Sequence, residues 1–133
     1  MVRMFLLDTD TIIYSMKGNA NVQKNVREHS DALLSISVIT LMELYYGARK
    51  SQRVAANLAK IKTLEQAIEV IPVGLESTEI FGLLKANLEV VGKRMDDFDL
   101  IIASCALANN LTLVTNNMKH FQRIEGLKLA NWA

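Results

Sequence analysis

Residues 95–121 read MDDFDLIIASCALANNLTLVTNNMKHF, and this stretch decides the fold. Three carboxylates open it, a long and nearly continuous apolar run follows, and Asn109-Asn110 ends that run. A helix that is apolar on all sides is covered by other elements, so the first half predicts a buried helix. The short apolar run from Leu111 to Val114 then predicts a central parallel strand, buried on both faces.

The composition is that of a single domain of ordinary size spanning residues 1–133. Half of the residues (50%) are hydrophobic and only 22% are charged, which suffices for a core and argues against disorder. The formal net charge of +1 neither requires nor excludes a nucleic-acid partner, because local patches matter more than the total. The single cysteine, Cys105, lies inside the apolar run, so we expect it to pack rather than react.

We expect a soluble, cytoplasmic protein that does not enter a membrane. The apolar start, Met1 to Leu7, is too short for the hydrophobic region of a signal peptide. No apolar run approaches the length of a membrane span. A lone cysteine fits a reducing compartment.

Apolar runs and turn residues predict alternating strands and helices. Strands are expected at Val2–Leu7, Leu33–Val38, Ala67–Val73, Leu111–Val114 and Leu127–Ala130. Helices are expected at Thr11–Lys17, Asn19–Ser30, Ile39–Ala48, Val54–Ala67 and Glu76–Val91, then in the buried run, and once more before the last strand. The order βααβααβααβαβ predicts a three-layer α/β/α sandwich around a mainly parallel sheet.

Several helix ends also follow from residue type. Thr9 or Asp10 is the expected N-cap of the first helix, which leaves Asp8 at the tip of the strand. Thr40 followed by Glu43 fits a capping box. A capping box would explain an acid in this apolar helix by structure alone, without a functional role. Asp96 is the expected cap of the buried helix.

Two further local features are predicted. Gly47 is expected to close or bend its helix, and Pro72 places the third strand near a sheet edge, because proline cannot donate to a ladder. The helix Glu76–Val91 is expected to turn one apolar side inward, comprising Ile80, Leu83, Leu84, Ala86, Leu88 and Val91.

Acidic and amide side chains stand near the ends of three predicted strands. Asp8 follows the first, Glu43 lies in the helix after the second, Asp97 and Asp99 lead the buried helix, and Asn117 follows the strand after it. Ligands of open α/β sheets gather outside the carboxyl ends of the strands. Converging carboxylates repel one another, and a hard divalent cation such as Mg²⁺ reconciles them. Such a cation activates water and stabilises a leaving oxygen, which phosphodiester hydrolysis requires.

A small basic run follows Glu43 along the chain and contains Arg49, Lys50 and Arg53. A charge cluster is usually a solvated face. Its position close after Glu43 also suits contact with the phosphates of RNA.

Four segments resemble the PIN-domain ribonucleases, specifically the VapC-type toxins of bacterial type II toxin–antitoxin pairs. They are Phe5–Thr9, Ser37–Ala48, Asp99–Ala103 and Leu113–Asn117, and the likeness continues through Phe121–Leu127 to Asn131-Trp132. The resemblance implies a PIN-like fold and an endoribonuclease whose catalytic and metal-binding acids are Asp8, Glu43 and Asp99, with Mg²⁺ or Mn²⁺ as cofactor. The family often carries a fourth acid where this chain has Asn117, so Asn117 and Asp97 are further candidate ligands.

The same resemblance implies partners. It implies a VapB-like antitoxin, a toxin homodimer and a higher toxin–antitoxin complex. The implied substrate is RNA, with the anticodon loop of initiator tRNA as the leading candidate. The surface helices Asn19–Ser30 and Val54–Ala67 carry apolar positions that serve either the core or an interface.

Two alternatives come from other classes of protein. Asp8-Thr9-Asp10-Thr11 after an apolar strand also resembles the haloacid-dehalogenase-like phosphatases, with Asp8 as nucleophile and Asp10 as acid/base. Those enzymes usually need a longer chain, and that assignment leaves Glu43 unexplained. A receiver-like signalling module is of similar size, but the chain lacks its acid pair and its phosphoacceptor.

Overall fold

Five short parallel strands form the centre of the computed structural model, which describes residues 4–133. They are β1 (Met4–Leu7), β2 (Leu33–Ser37), β3 (Glu69–Ile71), β4 (Thr112–Val114) and β5 (Leu129–Ala130). All pairings are parallel, and the order across the sheet is β3-β2-β1-β4-β5. The order reverses beside β1, so the switch point of the sheet lies between β1 and β4.

Within residues 4–133, seven helices connect the strands in the predicted order. They are α1 (Thr9–Met16), α2 (Ala20–Glu28), α3 (Val38–Lys50), α4 (Val54–Ala67), α5 (Leu75–Val90), α6 (Asp97–Ala108) and α7 (Met118–Phe121). The predicted α/β architecture and element order are confirmed. None of the helices in the described residues is both long enough and apolar enough to cross a bilayer.

Two hydrophobic cores lie on opposite faces of the sheet, as the alternation of strand side chains requires. Leu6 packs into the core that covers α6, whereas Phe5 and Leu7 pack into the core beneath α1, α2 and α4. Cys105 is fully buried in α6, which confirms its packing role. The apolar positions of α2 and α4, such as Val22 and Ile61, are buried in the second core rather than presented to a partner.

The edge position of β3, next to Pro72, is confirmed. The predicted start of the first strand at Val2 lies outside the described residues. The last strand is shorter than predicted, because only Leu129 and Ala130 pair with β4.

Three predicted helix details are wrong. Asp8 itself caps α1, since its side chain accepts a hydrogen bond from the Thr9 N–H and the helix begins one residue later. Ser37 caps α3, so Thr40 lies inside that helix and forms no capping box. Of the two roles predicted for Gly47, closing α3 is wrong, because the helix continues to Lys50.

The inner face predicted for α5 is also partly wrong. Leu88 is buried as expected, but Leu83 and Val91 are each 62% exposed and Ala86 is exposed too. Only a narrow side of α5 faces α6. The spacing of apolar residues therefore predicted more buried positions than the helix has. Asp96 does cap α6, as predicted, by accepting from the Phe98 N–H.

Candidate metal and active site

The carboxyl ends of β1 and β4 meet through their backbones at the switch point. The Asp8 N–H donates to the Val114 carbonyl over 2.9 Å, which extends the ladder by one residue beyond β1. Asp8 is only 5% exposed there. A buried carboxylate is costly unless hydrogen bonds or opposite charges compensate it.

Two hydrogen bonds satisfy the Asp8 carboxylate. Its Oδ1 accepts from the Thr9 N–H at 2.8 Å, and its Oδ2 accepts from the Thr115 hydroxyl at 2.8 Å. Thr115 in turn accepts from the Asn117 N–H at 3.0 Å. The buried Thr115 therefore links the end of β4 to both the acid and the start of α7.

Burial nevertheless raises the pKa of Asp8 to about 7, helped by the neighbouring Asp10 and by Asp99, against the lowering effect of its hydrogen bonds. The pKa of Asp99, in the first turn of α6, is raised as well. Burial, Asp96 and Glu43 raise its pKa to about 6, with a further contribution from Asp10. Asp99 therefore lies within electrostatic range of both Asp8 and Glu43 at this end of the sheet.

Glu43 reaches this place from α3 and is held by Thr9. The Thr9 hydroxyl donates to Glu43 Oε1 at 2.7 Å and lies 3.0 Å from the hydroxyl of buried Thr40. Thr40 thus supports the site through Thr9 instead of capping a helix.

Asp10 was not predicted among the converging acids, yet it belongs to them. Its Oδ2 accepts from the Asn116 N–H at 3.0 Å, and it raises the pKa of both Asp8 and Asp99. Asp10 follows Asp8 by two residues at a strand end, and this spacing is the feature of the sequence that could have predicted its place among these acids. We call Asp8, Asp10, Glu43 and Asp99 the acidic cluster.

Asn117 and Asp97 are placed differently from the acidic cluster. Asn117 Nδ2 lies 2.9 Å from Nδ1 of His120, and the electrostatic effect of His120 lowers the pKa of Asp99. The contact with His120 therefore places Asn117 on the side of the cluster where Asp99 lies. Asp97 instead forms an exposed ion pair with Lys85 at 3.0 Å. Within residues 4–133, no hydrogen bond or ion pair joins the Asp97 carboxylate to the acidic cluster.

The donor set fits a hard cation. It offers carboxylate oxygens with hydroxyl support, the ligand type that Mg²⁺ and Mn²⁺ take together with water. Among residues 4–133, no three acidic, histidine or cysteine side chains already surround one point. Burial is the main cause of the raised pKa values of Asp8 and Asp99, and neighbouring acids add to it. A bound cation would stabilise the ionised form of both carboxylates.

The three basic residues predicted to contact RNA lie at the end of α3 and just beyond it, and all are exposed. Lys50 stands over the ring of Tyr46, with 5.2 Å between its Nζ and the ring centroid. Arg49 and Arg53 form no ion pair within the described part of the chain. Their side chains are accordingly accessible to a phosphate backbone.

Known proteins are similar to the chain over its whole length. Residues 5–127 match the PIN domain family. Ribonuclease VapC2 of Rickettsia felis is 37% identical over 131 residues, covering 97% of this chain and 98% of the relative. The tRNA(fMet)-specific endonuclease VapC of Shigella flexneri is 36% identical over 132 residues, with the same coverage of both chains.

A solved structure is similar as well. The crystal structure of VapBC2 from Rickettsia felis, bound to a DNA fragment from their promoter, matches 100% of both chains with a TM-score of 0.92 and 36% identity. The likeness therefore includes the sheet, the helices and the strand ends that carry the acidic cluster.

Proposed function

This chain belongs to the PIN-domain family as a VapC-type toxin, and from that premise we propose that it is a divalent-cation-dependent endoribonuclease. The match of a PIN domain to residues 5–127 removes the support that the Asp8-Thr9-Asp10 motif lent to a phosphatase. The observation that carries the proposal is that Thr9 bonds both Asp8 and Glu43 at the switch point, within electrostatic range of Asp99, with the pKa values of Asp8 and Asp99 raised.

Asp8, Glu43 and Asp99 are the residues that would hold Mg²⁺ or Mn²⁺. When bound, the cation supplies a Lewis acid that activates water and stabilises the leaving oxygen of a phosphodiester. The threonines supply orientation, since Thr9 holds Glu43 and Thr115 holds Asp8. Fixed orientation of ligands by neighbouring hydrogen bonds is a general requirement of metal sites.

The rim of the cluster can serve the substrate. Asn117 contacts His120, which acts electrostatically on Asp99, and both side chains carry hydrogen-bond donors for phosphate oxygens. Arg49, Lys50 and Arg53 offer positive charge close after Glu43 in the chain, which suits the backbone of the same RNA. The basic run thus gives the RNA backbone a point of contact beyond the acidic cluster, and we propose that the protein acts in the cytoplasm.

We infer further that the substrate is the anticodon loop of initiator tRNA. Support comes from the Shigella flexneri relative, which is called a tRNA(fMet)-specific endonuclease and is 36% identical over nearly the full chain. The Rickettsia felis relative is called a ribonuclease without a named RNA.

A VapB-like antitoxin is the proposed protein partner, on the support of similar VapBC structures. Such an antitoxin would inhibit the toxin by covering the acidic cluster, where a basic side chain finds complementary charge. A complex with two copies of each protein would follow if the toxin is a homodimer.

The surface of α5 supports a homodimer. Leu83 and Val90 are seven residues apart and so lie on one face of the helix, yet they are 62% and 85% exposed. Exposed apolar faces of this kind mark interaction sites. The α5 face is a better candidate interface than α2 or α4, whose apolar side chains are buried within the chain.

Cleavage assays test the proposed activity. Purified toxin, separated from its antitoxin, should cut a synthetic initiator tRNA anticodon stem-loop with Mg²⁺ or Mn²⁺ and should stop in EDTA. Sequencing of RNA ends after brief induction should place the cuts in that loop. Cuts confined to messenger or ribosomal RNA would disprove the tRNA assignment. No cleavage with either metal, together with an aspartyl phosphate at Asp8, would disprove the nuclease.

A further inference from the structure

A cavity of about 380 Å³ lies between α1, α3 and α4 and adjoins the acidic cluster through Glu43, which lines both. Its walls are largely apolar and include Met16, Leu44 and Ile61. The volume falls within the range of small-molecule sites. A ligand in this cavity would therefore lie directly beside the proposed point of cleavage.

Gly47 lines the cavity and has no structural reason to be glycine. It lies inside α3, where glycine destabilises a helix relative to alanine. Apart from its two chain neighbours and the backbone of its own helix, a Cβ built on Gly47 meets no atom of residues 4–133 within 4 Å, and the backbone there needs no positive φ. The missing side chain leaves this part of the cavity wall open.

The polar lining has the groups that recognise a base and its phosphate. Asn57 Nδ2 donates one hydrogen to Ser51 Oγ at 2.9 Å, which fixes the amide while its second hydrogen and its Oδ1 form no bond within residues 4–133. An asparagine amide can pair with adenine through the N6 and N7 atoms of the base. Lys17 and Lys60 also line the cavity, are exposed, and form no ion pair in the described chain.

We propose that this cavity binds one unstacked nucleobase of the RNA substrate, adenine by preference, beside the phosphodiester that is cut. The apolar walls cover the faces of the base, Asn57 reads its edge, and the two lysines neutralise adjoining phosphates. This inference rests on the proposed ribonuclease function and adds the specificity site to it.

Filling the cavity tests the proposal directly. Gly47→Leu places a side chain in the open space, and because leucine favours helix, the variant should keep or raise the thermal midpoint. Gly82→Leu is the matched control, since Gly82 lies inside α5 and its added Cβ also meets nothing within 4 Å. Asn57→Asp removes the donor to adenine N7 at nearly constant shape.

The probes are the four nucleoside 5′-monophosphates, titrated in EDTA and followed by NMR, so that binding is measured without catalysis. Wild type and Gly82→Leu should bind AMP best, Gly47→Leu should bind it roughly tenfold or more weakly, and Asn57→Asp should lose the preference for AMP. Equal binding by wild type and Gly47→Leu would overturn the proposal. The proposal would also be overturned if the cavity bound the antitoxin but no nucleotide.

Cleavage of RNA stem-loops that differ at one base beside the cut separates this proposal from the function it rests on. If wild type cuts with a base preference that Gly47→Leu loses, both stand. If Gly47→Leu cuts with unchanged kcat/KM and preference, the base site is wrong and the nuclease stands. If wild type cuts no RNA, the nuclease fails, and the nucleotide titration still decides whether the cavity binds a base.

Discussion

Thr115 donates a 2.8 Å hydrogen bond to Asp8, although 107 residues separate them in the chain. Both side chains are buried at the switch point between β1 and β4. The bond lowers the pKa of Asp8 against the larger opposing effect of burial. The charge state of the central acid therefore depends on the pairing of two distant strands.

The first prediction concerns the three acids themselves. Asp8→Asn, Glu43→Gln and Asp99→Asn should each reduce RNA cleavage by about 100-fold or more, because each removes a ligand charge while keeping the shape. Asp96→Asn is the control, since asparagine caps a helix as well as aspartate. At pH 8, above the pKa of Asp99, loss of the Asp96 charge should leave cleavage nearly unchanged. If all three substitutions left both Mg²⁺ binding and cleavage intact, the metal site would be wrong.

The metal-free protein should become less stable relative to Asp8→Asn as the pH rises. The folded pKa of Asp8, about 7, lies above the ordinary value of 3.8, so folding favours the protonated acid. That stabilisation is complete below pH 4 and is lost as the pH rises through 7. Urea unfolding in EDTA measures the free energy of unfolding of both proteins. The value for Asp8→Asn should rise relative to that of wild type by about 1 to 3 kcal/mol between pH 5 and pH 8. A difference independent of pH would contradict the raised pKa.

Cation affinity should rise over the same range. Protons compete with Mg²⁺ for Asp8 and Asp99, whose pKa values are about 7 and about 6. Calorimetric titration should show roughly tenfold or greater tightening from pH 5.5 to pH 7.5, together with proton release. Binding without proton release at pH 6 would show that these acids are not ligands.

Thr115→Val should weaken the site without removing a ligand. Asp8 would lose a buried hydrogen-bond donor, so its pKa should rise further and Mg²⁺ affinity should fall by about 10- to 100-fold. The free energy of unfolding should fall by about 1 to 3 kcal/mol. Thr112→Val in the same strand is the control, because no hydrogen bond of the Thr112 hydroxyl is found in the described structure and both readouts should stay near wild type.

Asn117→Asp should alter cation binding if this amide faces the acidic cluster. An added carboxylate beside Asp99 should raise the affinity or change the preference between Mg²⁺ and Mn²⁺, which calorimetry would detect. Asn21→Asp adds the same charge on the exposed first turn of α2 and should have no effect. Identical titrations for both variants would exclude Asn117 from the site.

The dimer prediction rests on α5. Leu83→Glu places a charge on the exposed apolar face and should convert a dimer to monomer in light scattering at micromolar concentration. Ala55→Glu, on the exposed side of α4, should leave the dimer intact. A wild-type monomer under these conditions would refute the homodimer.

The sequence by itself determined the class of fold and the order of its elements. The apolar run in α6 is too long and too continuous for a surface helix, and the short apolar runs of β1 and β4 suit only central strands. Pro72 marked an edge because its backbone lacks a donor. These are local properties, and a local pattern can be recognised in the sequence without knowledge of distant contacts.

The sequence also pointed to Asp8, Glu43 and Asp99, partly by their positions after strands and partly by resemblance to PIN-domain ribonucleases. It did not reveal that Asp10 joins them or that Thr9 and Thr115 hold their oxygens. Threonine and aspartate at a strand end are equally good caps, so local pattern cannot separate the two roles.

Only the tertiary structure decided which side chains meet. It made Asp8 the cap of α1, left Leu83 of α5 and Val91 just after it exposed, and opened the cavity at Gly47. Each outcome depends on how elements far apart in sequence pack against one another. A raised pKa, an exposed apolar face and an open cavity are properties of the space between elements, and that space exists only once the chain has folded.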